Sequence, residues 1–443
     1  MKSVSLHTLG CKLNYSETSA IAKSFSSKGF YLKQYGEPSD VFVLNTCSVT
    51  ENADKECRQI IRSIIRNNPD TYVIVTGCYA QLQPYDIAKI EGVDLVLGIN
   101  EKFKLFDYID NYEKKDYSCV YRTESEHATE FDEAFSADTD SRTRAFLKIQ
   151  DGCNYKCSFC TIPKARGKSR SLALYKVTEN AKRIIDSGYR EIVLTGVNTG
   201  DYSYSDPENN LNHELIDVLT ELEKLNIDRI RVSSIEPNLV SDGIIDFAKS
   251  SGKFCNHFHI PMQSGDNEIL KMMRRRYARE FYRDLIYRLV DEIPGVGIGA
   301  DVITGFPGET DEHFQNTFEF IESLPVSYLH VFSYSERKNT DAVLFQGKTD
   351  VRDRKVRSEK LRKLSDKKRF DFYSEFIGTE QPVLFESRKS DGFFEGLTTN
   401  YIRVKADSNL NPGISENSII RVRLDSTDGI KPVFSNAVSE VYS

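Results

Sequence analysis

The first hundred residues alternate short apolar runs with amphipathic stretches. Ser3–Leu9, Val41–Asn45, Tyr72–Thr76 and Val93–Leu97 are of strand length and rich in aliphatic and β-branched residues. Between the second and third, Ile60, Ile61, Ile64 and Ile65 recur at helical spacing. A first helix is expected from Ser16 to Ser27, ended by Gly29. Strands alternating with helices predict an open parallel α/β sheet. The alternation resumes further on. Strands are expected at Ala145–Gln150, Glu191–Thr195, Ile230–Ser234, His257–Pro261, Gly297–Ile303 and Tyr328–Tyr334. Helices fit between them near Tyr175–Ser187, Glu214–Leu225, Leu239–Ser250, Ala278–Glu292 and Glu312–Leu324. Six such units predict a partial (βα) barrel. Arg352–Arg369 reads as one more helix. After it the pattern is strands only: Pro382–Glu386, Phe393–Leu397, Tyr401–Ala406, Ser418–Leu424 and Lys431–Val438. Short strands between Gly, Asn, Asp and Ser turns predict a small β-barrel of OB type. The expected division is 1–120, a linker at 121–141, the partial barrel at 142–373 and the β-barrel at 374–443.

Composition narrows the class. At 39% apolar and 28% charged, the 443 residues suit a soluble globular protein and exclude disordered or collagen-like chains. No apolar run approaches the roughly 20 residues that span a bilayer, and Met1-Lys-Ser-Val-Ser-Leu-His has no signal-peptide core. The net charge of −7 argues against a generally basic nucleic-acid binder. Its distribution is uneven, however. Glu124–Asp140 carries seven acids (Glu124, Glu126, Glu130, Asp132, Glu133, Asp138, Asp140) and no Lys or Arg, whereas Arg352–Arg369 carries ten Lys/Arg against three acids. An acidic linker can hide a basic working face.

Nine cysteines, an odd number in a long chain with no export signal, point to metal or redox chemistry rather than disulfides. Cys11, Cys47 and Cys78 each follow a predicted strand, so all three should converge at the carboxyl edge of the first sheet. Cys57, in mid-helix, and Cys119 read as packing residues. The strongest signal is Asp151-Gly-Cys153-Asn-Tyr-Lys-Cys157-Ser-Phe-Cys160. Three cysteines spaced C-x3-C-x2-C with no fourth nearby suit a [4Fe–4S] cluster with one open iron better than a closed zinc site. His257 and His259 point to one strand face. With Cys255 they raise a zinc reading, but a histidine lining the barrel explains them more simply.

The second triad, with Phe159 before its last cysteine, resembles the radical S-adenosylmethionine (SAM) superfamily, in which the open iron chelates SAM. The resemblance implies SAM contacts at Thr195, Gly196 and Asn198, where T-G stands in place of the usual G-G-E. It further implies contacts at Ser234, Glu236, Gln263, Ile303 and Gly305. Thr8-Leu-Gly-Cys11, Asn45-Thr-Cys47 and Thr76-Gly-Cys78, then C-x3-C-x2-C, then a β-barrel resemble the methylthiotransferase family along essentially the whole chain. That implies a second [4Fe–4S] cluster on Cys11, Cys47 and Cys78 that handles sulfur, and two SAM molecules per turnover. The last region resembles the TRAM module, a small RNA-binding barrel. Other implied partners are tRNA, a flavodoxin- or ferredoxin-like electron donor and a sulfur source, in the cytoplasm and away from membranes.

Three substrates compete within that family: N6-threonylcarbamoyladenosine and N6-isopentenyladenosine in tRNA, and an aspartate of a ribosomal protein. Thr8-Leu-Gly-Cys-Lys-Leu-Asn14, Ala165-Arg-Gly-Lys-Ser-Arg-Ser171 and Gly396-Leu-Thr-Thr-Asn-Tyr-Ile-Arg403 resemble the threonylcarbamoyladenosine subfamily best, although Ile162-Pro-Lys164 departs from the more usual I-P-Y. Arg166, Arg170 and Arg275 are expected to meet substrate phosphate or carboxylate. A non-catalytic Fe–S RNA-binding protein is the alternative of another class.

Overall fold

Val41–Thr46 and Tyr72–Gly77 are buried at every position, as strands covered on both faces must be. They form the centre of a six-stranded sheet in the order 31–33, 3–8, 41–46, 72–77, 95–97, 119–121. Every pairing in it is parallel. The computed structural model describes all residues except 1, 49, 110, 128–130, 137–142, 209, 390–391, 410–412, 428–432, 436–437 and 442–443. The first helix starts at Lys12, four residues before the expected Ser16. Tertiary bonds replace a capping side chain: the Asn14 amide donates to Leu9 O (2.8 Å) and Thr46 O (3.1 Å), which fixes the first turn.

The partial barrel has its six parallel strands in two runs of three. Arg144–Lys148, Glu191–Thr195 and Arg229–Val232 form one; His257–His259, Gly297–Thr304 and Tyr328–Ser333 form the other. Parallel bridges Ile230–Phe254 and Ser234–His259 join them. Ile192, Leu194, Ile230, Val232, Ile298, Ala300 and Val302 belong to the core beneath the helices. Strand alternation therefore turns Lys148, Glu191, Arg229, Arg231, His257, His259, Asp301, Tyr328 and His330 into the lumen. This interior is polar, unlike the branched apolar filling of a closed eight-stranded barrel. The basic helix, Val351–Ser374, lies along the last strand, with the Ser365 hydroxyl 2.9 Å from Leu329 N. Two of its basic residues are structural: Arg354 and Arg357 are buried, and Arg357 pairs with Glu309 (2.6 Å) and Asp311 (2.7 Å).

The expected linker is more than a tether where it is described. Ala134 O accepts from Lys148 N, and Ser136 N donates to Phe146 O, both at 3.0 Å, so 134–136 fringe the first barrel strand. Glu130, Asp138 and Asp140 lie outside the described residues. The chain ends in a second six-stranded sheet, curled around its own core, in the order 433–435, 403–407, 393–398, 380–388, 419–423, 438–441. The single strand expected at Lys431–Val438 is represented by Val433–Ser435 and Val438–Val441, and Lys431 and Pro432 lie outside the described residues.

A turn of this last sheet closes the amino-terminal end of the barrel. Arg229 donates to Leu397 O (2.9 Å) and Pro382 O (2.8 Å); Arg231 donates to Thr399 O (3.0 Å) and Thr398 O (3.2 Å). Tyr401, at φ +74°, stacks on His257 with 4.4 Å between ring centroids. Gly297 has to be glycine here, since a Cβ would fall 2.2 Å from Asn400 O.

Candidate active site

Cys11, Cys47 and Cys78 follow the carboxyl ends of three adjacent strands of the first sheet. Backbone geometry permits their close approach. At Gly10, φ +107°, a Cβ would lie 2.7 Å from Cys47 Cβ and 3.0 Å from its sulfur; at Gly77, φ +97°, it would lie 2.4 Å from Thr46 O. Both positions are in the left-handed region that glycine tolerates.

Cys153, Cys157 and Cys160 occupy the loop that leaves Gln150–Asp151 at the top of the first barrel strand. Gly152 (φ +71°) brings this loop against its return segment: a Cβ there would lie 2.0 Å from Lys168 O, and Cys153 N donates to Gly167 O (3.0 Å). Burial pushes the Cys153 thiol up to about 11 and the Cys160 thiol to about 12. Such thiols ionise only when a metal takes the proton's place. Arg275 donates to Cys157 Sγ (3.2 Å) and pairs closely with Glu236.

The remaining SAM candidates collect around this loop. Gln150 Oε1 accepts from Asn198 N (3.0 Å), and Asn198 Oδ1 accepts from Glu236 N (3.2 Å). A Cβ on Gly196 would sit 2.8 Å from Gln150 Oε1. Thr195 ends its strand, and Ser234 lies two residues beyond Val232, bridged to His259. The Thr195 hydroxyl, the Asn198 amide nitrogen and the Ser233 hydroxyl are buried with no hydrogen-bond partner. Buried orphans of this kind mark a place where a polar ligand completes the bonding. Gln263 (φ +67°) lies beside Ile303, whose N donates to Gln263 O at 2.9 Å. Gly305 N donates to Glu309 Oε1 (2.8 Å), and Phe159 packs with Ile303 and Phe306 to form an apolar wall.

The segment after the second triad packs against the first sheet. Helix Ile162–Arg166 starts two residues after Cys160, and its Ala165 packs against Cys78 and Ile99. Arg166 then crosses to the first helix, donating to Glu17 (2.9 and 3.0 Å), Asn14 (2.7 Å) and Asp151 (2.9 Å). Lys102 reaches Glu17 at 2.6 Å, and Lys148 reaches Asp151 at 2.9 Å. Burial alone would raise the Glu17 carboxyl, but Arg166, Lys102 and Lys148 hold it far below the usual range. Three buried cations thus face two carboxylates beside Cys78. That excess suits an iron–sulfur cluster on three thiolates, whose net charge is negative.

The three arginines expected to meet substrate all have partners within the protein. Arg166 is 1% exposed and committed to Glu17, Asp151 and Asn14. Arg170 donates to Arg166 O (2.7 Å) and Asp151 (3.3 Å), and Arg275 is held by Cys157 and Glu236. All three hold the site together. The zinc reading on Cys255, His257 and His259 also dissolves. Cys255 is fully buried and faces Glu191, and His257 meets Tyr328 and Tyr401. His259 instead joins Asp301 (3.1 Å), which His330 also contacts (3.2 Å), while Ser234 holds its other ring nitrogen (2.8 Å). Glu17, Lys102 and Lys148 escape sequence reasoning, since each looks like an ordinary surface charge.

The barrel fold with a C-x3-C-x2-C loop at its mouth defines a radical-SAM enzyme. Residues 147–321 match the family model described as "Radical SAM superfamily", and residues 3–98 match one described as "Uncharacterized protein family UPF0004". The chain is 40% identical over 408 residues to the threonylcarbamoyladenosine tRNA methylthiotransferase MtaB of Bacillus subtilis, covering 91% of this chain and 90% of that protein. It is 32% identical over 344 residues to a tRNA-2-methylthio-N(6)-dimethylallyladenosine synthase of Clostridium tetani, covering 76% and 75%. In fold it is similar to the radical SAM methyltransferase TsrM of Kitasatospora setae, with a TM-score of 0.53 at 14% identity over 77% of each chain. The chain belongs to the radical-SAM tRNA methylthiotransferase family. It is therefore a transferase that uses SAM and [4Fe–4S] clusters. Among the described residues no helix is long and apolar enough to cross a membrane.

Proposed function

We propose that this enzyme methylthiolates carbon 2 of N6-threonylcarbamoyladenosine at position 37 of tRNA, using two SAM per turnover. In this reading Cys153, Cys157 and Cys160 hold the SAM-binding cluster, and Cys11, Cys47 and Cys78 hold the auxiliary one. With SAM held there, the first would supply radical chemistry for an inert C–H bond, and the second would handle the sulfur. The protein's own part is placement. Thr195, Gly196, Asn198, Ser234, Glu236, Gln263, Ile303 and Gly305 would hold SAM, with Phe159 contributing an apolar wall. The Glu17–Arg166 network keeps the two triads in register.

The observation that supports the proposal is the packing of Cys78, of the first triad, against Ala165, in the short helix that follows the second. Radical and sulfur can then reach the same carbon. The threonylcarbamoyl substrate is favoured because MtaB relatives match at 40% and 38% identity, and the dimethylallyl enzymes at 32% and 31%. A flavodoxin- or ferredoxin-like protein would supply electrons, and a separate donor would replenish sulfur.

The test is mass spectrometry of tRNA nucleosides from cells with and without the gene. Loss of 2-methylthio-N6-threonylcarbamoyladenosine, with its precursor accumulating, is expected. Loss of the isopentenyl counterpart instead would move the substrate, and no change in either would overturn the tRNA reading. Purified Cys157→Ala enzyme should form no 5′-deoxyadenosine while keeping about half its iron.

A further inference from the structure

His259, Asp301 and His330 stand on three adjacent parallel strands, His257–His259, Gly297–Thr304 and Tyr328–Ser333. The register pairs Asp301 with His330, and His259 with Gly299. Residues two apart on a strand share a face, so the three side chains enter the lumen side by side. The reaction proposed above uses none of them. Asp301 Oδ1 lies 3.1 Å from His259 Nε2 and 3.2 Å from His330 Nδ1. One donor atom from each residue falls within 4.8 Å of the other two.

Two features separate this cluster from a plain ion pair. His259 Nε2 is buried and makes no hydrogen bond, although Asp301 is so near. The carboxylate oxygen therefore sits close to that nitrogen but off the line along which the two would share a proton. The other ring nitrogen, Nδ1, meets the Ser234 hydroxyl at 2.8 Å. A partner on Nδ1 fixes the ring and leaves Nε2 to ligate, as metal-bound histidines are held. The spacing is the second feature. Donors bound at roughly 2.0–2.1 Å to a tetrahedral ion stand about 3.3 Å from one another. Both separations from Asp301 Oδ1 are close to that edge. Among the described residues Asp301 pairs with these two imidazoles and with no Lys or Arg.

We infer that His259, Asp301 and His330 form a binding site for a divalent transition metal, zinc being the ion that two imidazoles and one carboxylate suit. Imidazole donors disfavour magnesium and calcium, which take oxygen. The site is separate from both cysteine triads, and it uses neither Cys255 nor His257. Three protein ligands leave a fourth position, which opens to the lumen beside half-exposed His330. An oxygen donor entering the lumen would complete the shell. The inference stands whichever tRNA base is modified.

The test offers zinc to cluster-loaded enzyme without oxygen, strips loosely held ion with a weak chelator, and measures zinc, iron and sulfide per chain. Wild-type enzyme should retain about one zinc, with its iron and sulfide unchanged. Asp301→Asn and His330→Gln should each bind zinc at least about tenfold more weakly at the same iron and sulfide content. His330 is half-exposed, so its variant still tests the site if Asp301→Asn folds poorly. X-ray absorption at the zinc edge identifies the donors. A nitrogen and oxygen shell at about 2.0–2.1 Å is expected, against sulfur at about 2.3 Å for an ion held by cysteine. Failure of the wild type to retain zinc, a sulfur shell, or equal retention by wild type and His330→Gln would each overturn the inference.

Discussion

Replacing Glu17 by Gln keeps the shape of the side chain and removes one buried negative charge. Lys102 and Arg166 then lose the carboxylate they contact at 2.6 and 2.9 Å, and Lys148 loses a second contact at 3.4 Å. Asp151 is left facing three cations. Taking one partner from a buried charge network costs about 3–5 kcal/mol, because the remaining charges stay out of water. For a unit of this size that corresponds to a fall of roughly 6–20 °C in melting temperature. Thermal unfolding followed by circular dichroism on cluster-loaded enzyme measures it. Burial opposes ionisation of Glu17, yet its cationic neighbours win and the folded carboxyl titrates below its ordinary 4.5. The difference between wild type and variant should therefore be complete above pH 4.5 and close as the pH falls below it. The double variant Glu17→Gln/Lys102→Met restores the charge balance and should recover about half the loss. A single variant that melts within 2 °C of wild type (about 0.5–1 kcal/mol) would refute this account, as would a double variant showing the full sum of the two single losses.

Gly152→Ala would combine a left-handed backbone with a Cβ 2.0 Å from Lys168 O; the loop should then fail to gather its cysteines, and iron content should fall by about half. Arg275→Met removes a donor from Cys157 Sγ; the associated cluster should become harder to reduce, and an unchanged midpoint in an EPR redox titration would contradict that. Burial opposes the charge on Glu191, but Arg231 and Arg144 lower it from 4.5 to about 2. It should therefore stabilise the fold by about 3 kcal/mol above pH 4.5 and lose that contribution towards pH 2. Acid unfolding of Glu191→Gln checks this, since the variant should lack stability change in that window from this residue.

The sequence made some of this arrangement legible through repetition. Gly10-Cys11 and Gly77-Cys78 end two of the apolar strand runs, and a glycine with a left-handed backbone before a cysteine is a local requirement that sequence can display. The six barrel strands were equally readable, because alternation of core and lumen residues is local. Contacts between distant segments left no such trace. Glu17, Lys102 and Arg166 each sit among ordinary polar residues, and only the docking of the first helix on the barrel mouth makes them a buried network. The same limit hides the partners of Arg166 and Arg170: a basic word after a cluster loop reads as a phosphate site, and nothing local in it points to Glu17 or Asp151. The start of the first helix at Lys12 is non-local for a related reason, since Asn14 holds its first turn by bonds to Leu9 and Thr46.

The turn at Thr398–Tyr401 makes the C-terminal sheet unsuited to use as a detachable accessory. Arg229 and Arg231 direct four donations into backbone carbonyls of that sheet, those of Arg231 into the turn itself. Cutting the chain after the long basic helix would take four carbonyl acceptors from both guanidinium groups and open that end of the lumen to water. Chimaeras that exchange this terminal unit between related enzymes should therefore carry the turn and both arginines as one cassette. A donor turn with a bulkier backbone neighbour would meet Gly297 and fail to seat.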